Sequence, residues 1–407
     1  MKRFLVGVAF VASACGSPQK AGWERAPDGA QIQCEPVECR ERGVALDASD
    51  PSQAALFYRA GCDQGDSESC TWLGYLEMNG LGVERDDVAA REHSRLGCER
   101  GHNIGCRNYG WTLEKAVGGS ADYPMAYAVY QKGCQLDDGG ACVNTGTLLK
   151  RGLGVPRDDY AAVEFFQKGC SLLDVNGCSN LAWMAEYGRG TPVDKIWAAQ
   201  LYEWGCNQND GVSCGTLANM YEKGIGVTQN VDMAFSLVNK ACGLDEPVSC
   251  ASLSHYYFSG VGVARDDVKG VEYARRGCDL GDPVGCNNLG YAQETGSGVD
   301  VDMASAIKNY RFACDEGFYR GCTNLGLAYA YGRGVSKDPA QGVFLLQLGC
   351  AVDDELACSE VTKQGYQVGS DLGAVKFHYE RACEKNAYGP ACRALETVKL
   401  KMNGATP

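Results

Sequence analysis

The stretch Cys278-Asp279-Leu280-Gly281-Asp282-Pro283-Val284-Gly285-Cys286 decides how the rest of the chain is read. Two glycines, two aspartates and a proline between the cysteines make the composition of a turn. On one continuous helix, residues eight apart lie about 12 Å apart along the axis. A disulfide needs Cα atoms about 4.4–6.8 Å apart. If this pair bonds, the chain must fold back between its cysteines into a tight helical hairpin. Gly277 and Gly285, one before each cysteine, let the two helices approach. The chain-entropy account gives such a short loop about 2–3 kcal/mol.

Outward from this stretch the pattern repeats. Cys62 and Cys70, Cys98 and Cys106, Cys134 and Cys142, Cys170 and Cys178, Cys206 and Cys214, Cys242 and Cys250, Cys278 and Cys286, Cys314 and Cys322, and Cys350 and Cys358 are each eight apart. Successive pairs are 36 apart. Cys383 and Cys392 are nine apart, and Cys34 and Cys39 form a shorter pair at the other end. A fixed period of this length signals a repeat array. Zinc is the competing reading of paired cysteines. Structural zinc sites favour pairs two to four residues apart with histidine nearby, and only His93, His102, His255 and His378 are present.

One repeat is helix, Gly-rich loop, helix. The third position after the second cysteine is Leu in Leu73, Leu181, Leu217, Leu253, Leu289 and Leu325; the fourth is small, as in Gly74, Gly110, Gly146 and Ala182. Offsets 0, 3, 4 and 7 share one helix face, so these residues form a narrow packing stripe. Offsets 10 and 12 are Gly in seven of eight units, ending the helix in a positive-φ turn. Aspartates such as Asp86, Asp158 and Asp266 then suit the start of a second helix. That helix carries Ala or Gly eight positions before the next cysteine, from Ala54 to Gly342. No strand alternation is visible. The expected fold class is all-α, an α/α solenoid of about ten helix pairs stapled by disulfides.

The bare totals agree. Among 407 residues are 53 Gly and 23 Cys, with 45% hydrophobic content and a net charge of −13. That charge argues against a sequence-independent nucleic-acid binder, which needs a basic face. At the N-terminus, Lys2-Arg3 precedes an apolar run from Phe4 to Ala12 and then Ser13-Ala14-Cys15, which reads as a signal peptide. Ala12-Ser13-Ala14 fits a general secretory cut site; Ala-Ser-Ala-Cys also resembles a bacterial lipobox, with Cys15 the lipidated residue. Removing Cys15 from the thiol pool leaves an even 22. The expected layout is a signal peptide (1–14), a lipid-anchored tether (15–33), an N-terminal capping unit (34–61), the repeat array (62–358) and a divergent C-terminal repeat and cap (359–407). The membrane enters only through the N-terminal lipid. The protein is expected to be exported, as an outer-membrane or periplasmic lipoprotein or a secreted protein.

The unit Asn288-Leu289-Gly290-Tyr291, Gly296-Ser297-Gly298-Val299, Ala304, Tyr310 and Ala313-Cys314 resembles the Sel1-like repeat, a tetratricopeptide-related helix pair. With its regular cysteines the chain is similar to the Helicobacter cysteine-rich protein family over about residues 46–400; the unit after Cys358 departs, lacking the Leu-Gly step and the Gly-x-Gly loop. The resemblance implies an exported, disulfide-stapled, right-handed solenoid whose first helices line a concave groove for protein or peptide partners. It also implies penicillin binding or weak β-lactamase activity, with a β-lactam or peptidoglycan fragment as alternative ligand. A structural envelope spacer is a further alternative.

The first-helix face opposite the packing stripe carries offsets 2, 5 and 9. Offset 2 is Asn108, Asn144, Asn180, Asn288 and Asn324; offset 5 includes Tyr75, Trp111, Trp183, His255 and Tyr291. One amide per repeat could hydrogen-bond the backbone of an extended peptide, with Trp111 and Trp183 as anchors. Alternatively each Asn satisfies a carbonyl within its own unit and the rings pack between helices. Catalytic signals are thin. Ser17-Pro18-Gln19-Lys20 and Ser305-Ala306-Ile307-Lys308 match the Ser-x-x-Lys spacing of serine β-lactamases, but no Ser-Asp-Asn or Lys-Thr-Gly accompanies them. No phosphate loop, metal set or cofactor is indicated.

Overall fold

In the computed structural model, residues 24–25, 31–369, 372–385 and 389–403 are described. The expected signal peptide (1–14), the expected lipidation site Cys15 and the Ser17–Lys20 motif lie outside the described residues. The chain forms two compact units, Met1–Pro192 and Val193–Pro407. The first holds α1 (Pro36–Leu46), α2 (Pro51–Asp63), α3 (Ser67–Asn79), α4 (Asp87–Glu99), α5 (Asn103–Glu114), α6 (Tyr123–Gln135), α7 (Gly139–Arg151), α8 (Asp159–Ser171) and α9 (Val175–Tyr187). The second holds α10 (Lys195–Asn207), α11 (Gly211–Lys223), α12 (Val231–Gly243), α13 (Pro247–Ser259), α14 (Asp267–Asp279), α15 (Pro283–Thr295), α16 (Met303–Asp315), α17 (Tyr319–Tyr331), α18 (Pro339–Cys350), α19 (Glu355–Lys363), α20 (Leu372–Lys385) and α21 (Pro390–Met402).

Strand structure also occurs, within the segment that the sequence marks as a tether. β1 (Glu24–Arg25) pairs antiparallel with β2 (Gln31–Ile32), and Ile32 packs with Cys34, Cys39 and Ala60. Part of that segment is therefore docked against the first helices.

Each helix starts and stops for a local reason. The carboxylate of Asp86 accepts the N–H groups of Val88 and Ala89, and Asp158, Asp194, Asp266 and Asp302 cap their second helices in the same way. At the other end, Gly80, Gly152, Gly188, Gly224, Gly260, Gly296 and Gly332 are left-handed C-caps. The second loop glycine is required twice over. Gly190 has φ +65° and lies against the backbone of Asp159 at the start of α8, leaving no room for a Cβ.

Eleven disulfides are present among the described residues. In the first unit Cys34 bonds to Cys39, Cys62 to Cys70, Cys98 to Cys106, Cys134 to Cys142 and Cys170 to Cys178. In the second, Cys206 bonds to Cys214, Cys242 to Cys250, Cys278 to Cys286, Cys314 to Cys322, Cys350 to Cys358 and Cys383 to Cys392. The first cysteine of each eight-residue pair lies in the last turn of a second helix, the other in the first turn of the next first helix. The Cα atoms are 4.4 Å apart at Cys278 and Cys286. The chain does turn back between them. The third residue after every first cysteine of the regular pairs has positive φ, and at Leu173 (φ 62°) that residue is neither Gly, Asn nor Asp.

The packing stripe is buried: Leu73, Leu253, Leu289 and Leu325 are at most 4% exposed. The small residue beside each Leu makes room for a side chain of the following helix. A Cβ on Gly110 would collide with the Tyr130 ring, on Gly146 with Phe166 and on Gly290 with Tyr310. First helices also stack on first helices, α5 on α7 and α7 on α9 in one unit, α13 on α15 and α15 on α17 in the other. Core therefore forms between neighbours along the chain, as in any solenoid. Lys132, Lys168 and Lys240 reinforce the junctions, each donating Nζ to the carbonyl of Cys98, Cys134 or Cys206 at 2.7 Å. A cation there satisfies a helix-end carbonyl and complements the dipole.

After Cys358 the pattern breaks. α19 is nine residues long, against thirteen for α17. Val375, Tyr379 and Val398 return to one core with Tyr310, Leu325 and Leu348, and Tyr379 donates its hydroxyl to the Leu348 carbonyl at 2.8 Å. The end of the second unit is closed by its own last helices.

Candidate functional site

Asn288 and Asn324 of the offset-2 column and His255 and Tyr291 of the offset-5 column line a cleft of about 620 Å³. It spans α13, α15 and α17 and reaches the start of α19. His255 and Phe258 come from α13, Asn287, Asn288 and Tyr291 from α15, Arg320, Thr323 and Asn324 from α17. Gly-capped helices of equal length bring the same register position of successive repeats side by side. Tyr291 is 57% exposed and so lies outside the core.

Hydrogen bonds fix the amides. Asn288 donates Nδ2 to Ser254 Oγ at 3.1 Å, and Asn324 donates Nδ2 to Asn287 Oδ1 at 2.9 Å. The Oδ1 atoms of Asn288 and Asn324 accept no hydrogen bond from the described residues. Each is a positioned acceptor on successive repeats. The cleft carboxylate, Asp354, accepts the Thr323 hydroxyl at 2.7 Å. Arg265 is paired with Asp267 at 2.8 Å.

In the first unit one amide of the offset-2 column, Asn180, is bonded at both ends. Lys150 donates Nζ to Asn180 Oδ1 at 2.9 Å, while Asn180 Nδ2 donates to the Asn176 carbonyl at 2.9 Å. Both ends of that amide are used inside the protein. Trp183 lies under the same ammonium, 5.0 Å from Nζ, and beside Tyr187. Burial lowers the Lys150 pKa. Asn108 and Asn144 are half-buried and make no side-chain hydrogen bond to a described residue, and Trp111 is 38% exposed.

The remaining chemical candidates have structural employment. Ser305 lies in the first turn of α16, where its N–H and hydroxyl both bond Asp302 and hold that carboxyl below its ordinary range. Lys308, one turn on, is exposed. Cys314, Cys322 and His378 lie close together, but the two sulfurs are bonded to each other and offer no thiolate to a metal. His378 Nε2 is 3.1 Å from the Cys314 carbonyl oxygen.

Arg320, Thr323, Asn287 and Asp354 are cleft residues that the offset pattern did not flag. A signal for Arg320 was present. Two positions before the second cysteine the regular units read Glu68, Ile104, Gly140, Asn176, Val212, Val248, Val284, Arg320 and Leu356. Arg320 is the basic exception in that column.

The Sel1 repeat family model matches residues 38–66, 67–102, 140–172, 175–210, 216–245, 247–282, 283–318 and 320–354. The gap at 103–139 contains the repeat with Ala116 in place of the first loop glycine. No curated protein matches. Among solved structures, a protective antigen of uropathogenic Escherichia coli displaying an SLR fold is 21% identical over 91% of this chain and 88% of that one, with a TM-score of 0.50. A Sel1 repeat protein from Oxalobacter formigenes is 22% identical over 59% of this chain and 96% of that one, with a TM-score of 0.55. The Helicobacter pylori cysteine rich protein B is 31% identical over 33% of this chain and 96% of that one, with a TM-score of 0.28.

Proposed function

The chain belongs to the Sel1 repeat family, and from that premise we propose that it is an exported scaffold that binds an extended peptide segment of a protein partner. The carrying observation is the pair of pre-positioned acceptors, Asn288 Oδ1 and Asn324 Oδ1, in a cleft with the exposed Tyr291 ring. A peptide backbone presents N–H donors at a regular spacing, and buried or half-buried acceptors bind it without first being ordered. Eleven disulfides support an oxidising compartment outside the cytoplasm. The leader at 1–14 and lipidation at Cys15 complete this reading, with 34–61 as cap, 62–358 as array and 359–407 as closing segment.

The test is an array of random ten-residue peptides probed with the full mature chain. Wild type captures a subset of the array. The double variant Asn288→Ala with Asn324→Ala captures it at least tenfold more weakly, with its melting temperature within a few degrees of wild type. Equal capture by the double variant overturns the assignment of those amides. Mass spectrometry of the mature N-terminus tests the anchor, since a free, unacylated Cys15 contradicts it.

A further inference from the structure

One cation of the cleft stands without an ionic partner. The chain as a whole carries −13, and the charged residues lining the cleft are Arg265, Arg320 and Asp354. Arg265 is engaged by Asp267, while Asp354 accepts the neutral Thr323 hydroxyl at the start of α19 and keeps its charge. Arg320 is different. Its Nε donates to the Tyr319 hydroxyl at 3.2 Å, and its guanidinium carbon lies 5.9 Å from that ring's centroid. No carboxylate among the described residues lies within ion-pair distance of it. The side chain is thus steered by an aromatic neighbour while its two terminal nitrogens make no hydrogen bond to a described residue. Those nitrogens form the fork that accepts a carboxylate bidentately.

We infer that the occupant of the cleft is an acidic peptide, an extended segment whose Asp or Glu side chain pairs with Arg320. This inference rests on the peptide-binding reading above and adds the partner's chemistry to it. Arg320 and Asn324 are one turn apart on α17, about 6 Å along its axis. That offset is within the reach of a Glu or Asp side chain from a backbone held at Asn324. An acidic protein repels an acidic partner at long range, and this repulsion is screened beyond about 8 Å at physiological salt. Specificity therefore comes from the short-range pair at Arg320, and basic peptides, though attracted by the net charge, meet an unanswered guanidinium in the cleft.

The experiment is the random ten-residue peptide array, read for composition. Peptides retained by the full wild-type chain are expected to be enriched at least fivefold in Asp and Glu over the starting pool. Arg320→Glu, at an exposed position, is expected to abolish that enrichment and to favour Lys and Arg; Arg320→Lys is expected to retain a weaker acidic preference. Retention of peptides with no acidic preference, or an acidic preference unchanged in Arg320→Glu, overturns the inference and leaves the peptide-binding reading standing. Retention of no peptide of any composition overturns both.

Discussion

The two units place the same repeat columns in different company. In the N-terminal unit the helix-capping carboxylate Asp138 is buried and paired with Arg107 at 3.1 Å, and the offset-2 amide Asn180 is held by Lys150. In the C-terminal unit the equivalent carboxylate, Asp282, is buried with Ala251 in the Arg107 column, and Asn288 has Phe258 in the Lys150 column. The consequence for Asp282 is electrostatic: burial pushes its pKa up to about 6, against the lowering effect of the Gly285 N–H. The consequence for Asn288 is an acceptor left available. A repeat position thus has no role of its own. Its bonding is set by the residue that the preceding repeat lays against it, and a cation there, as at Asn180, takes up the amide oxygen.

The largest effect that separates the units should come from their staples. Replacing Cys134 and Cys142 together by Ser, or Cys278 and Cys286 together by Ser, should cost about 2–3 kcal/mol in denaturant unfolding. Only the second pair fastens the helix that carries Asn288, so only the second should also weaken peptide capture. Equal loss of capture in both variants would remove the distinction.

Asp282 gives a pH signature next. Its folded pKa lies above the usual unfolded value of about 3.9, so the folded state binds the proton more tightly. Stability should therefore fall as pH rises from about 4 through about 6 and stay reduced at neutral pH. Asp282→Asn keeps a capping side chain, removes that slope and should stabilise at pH 7 by about 2 kcal/mol, somewhat less than the full linkage value of such a shift. Thermal melts across pH 4–8 measure it; a slope unchanged in the variant would mean Asp282 is not its source.

Lys150→Met should cost about 1–2 kcal/mol, from the lost amide bond and cation–π contact with Trp183. Capture at the C-terminal cleft should be unaffected. The smallest change concerns Leu173, whose positive φ costs an L-residue about 1–2 kcal/mol. Leu173→Gly should raise stability by about 1 kcal/mol, and a loss on this substitution would show that the exposed Leu side chain has a contact of value.

Much of this architecture was legible from residue spacing. Cysteines 36 apart set the repeat, the Gly-x-Gly pairs marked helix ends, and the eight-residue spacing required a turn where Cys278 and Cys286 meet. These are local demands, and local demands are written in one repeat. The site was half legible. Asn288, Asn324, His255 and Tyr291 do line one cleft, since a shared register on stacked helices brings them together. Asn180 has its amide bonded at both ends, because its fate depends on a contact with a residue 30 positions earlier. Arg320 was visible only by comparing the column two before the second cysteine. The missing Leu-Gly step and Gly-x-Gly loop after Cys358 marked the departure at α19, whereas the β1–β2 pair had no signal, being set by packing at the edge of the array, where no further repeat imposes its pattern.

The most direct test is amide hydrogen exchange on the full chain, free and saturated with a peptide recovered from the array. The account predicts added protection over residues 283–295 and 319–331 and unchanged exchange over 139–151 and 175–187. Protection confined to 139–151 and 175–187, or none in 283–331, would contradict it.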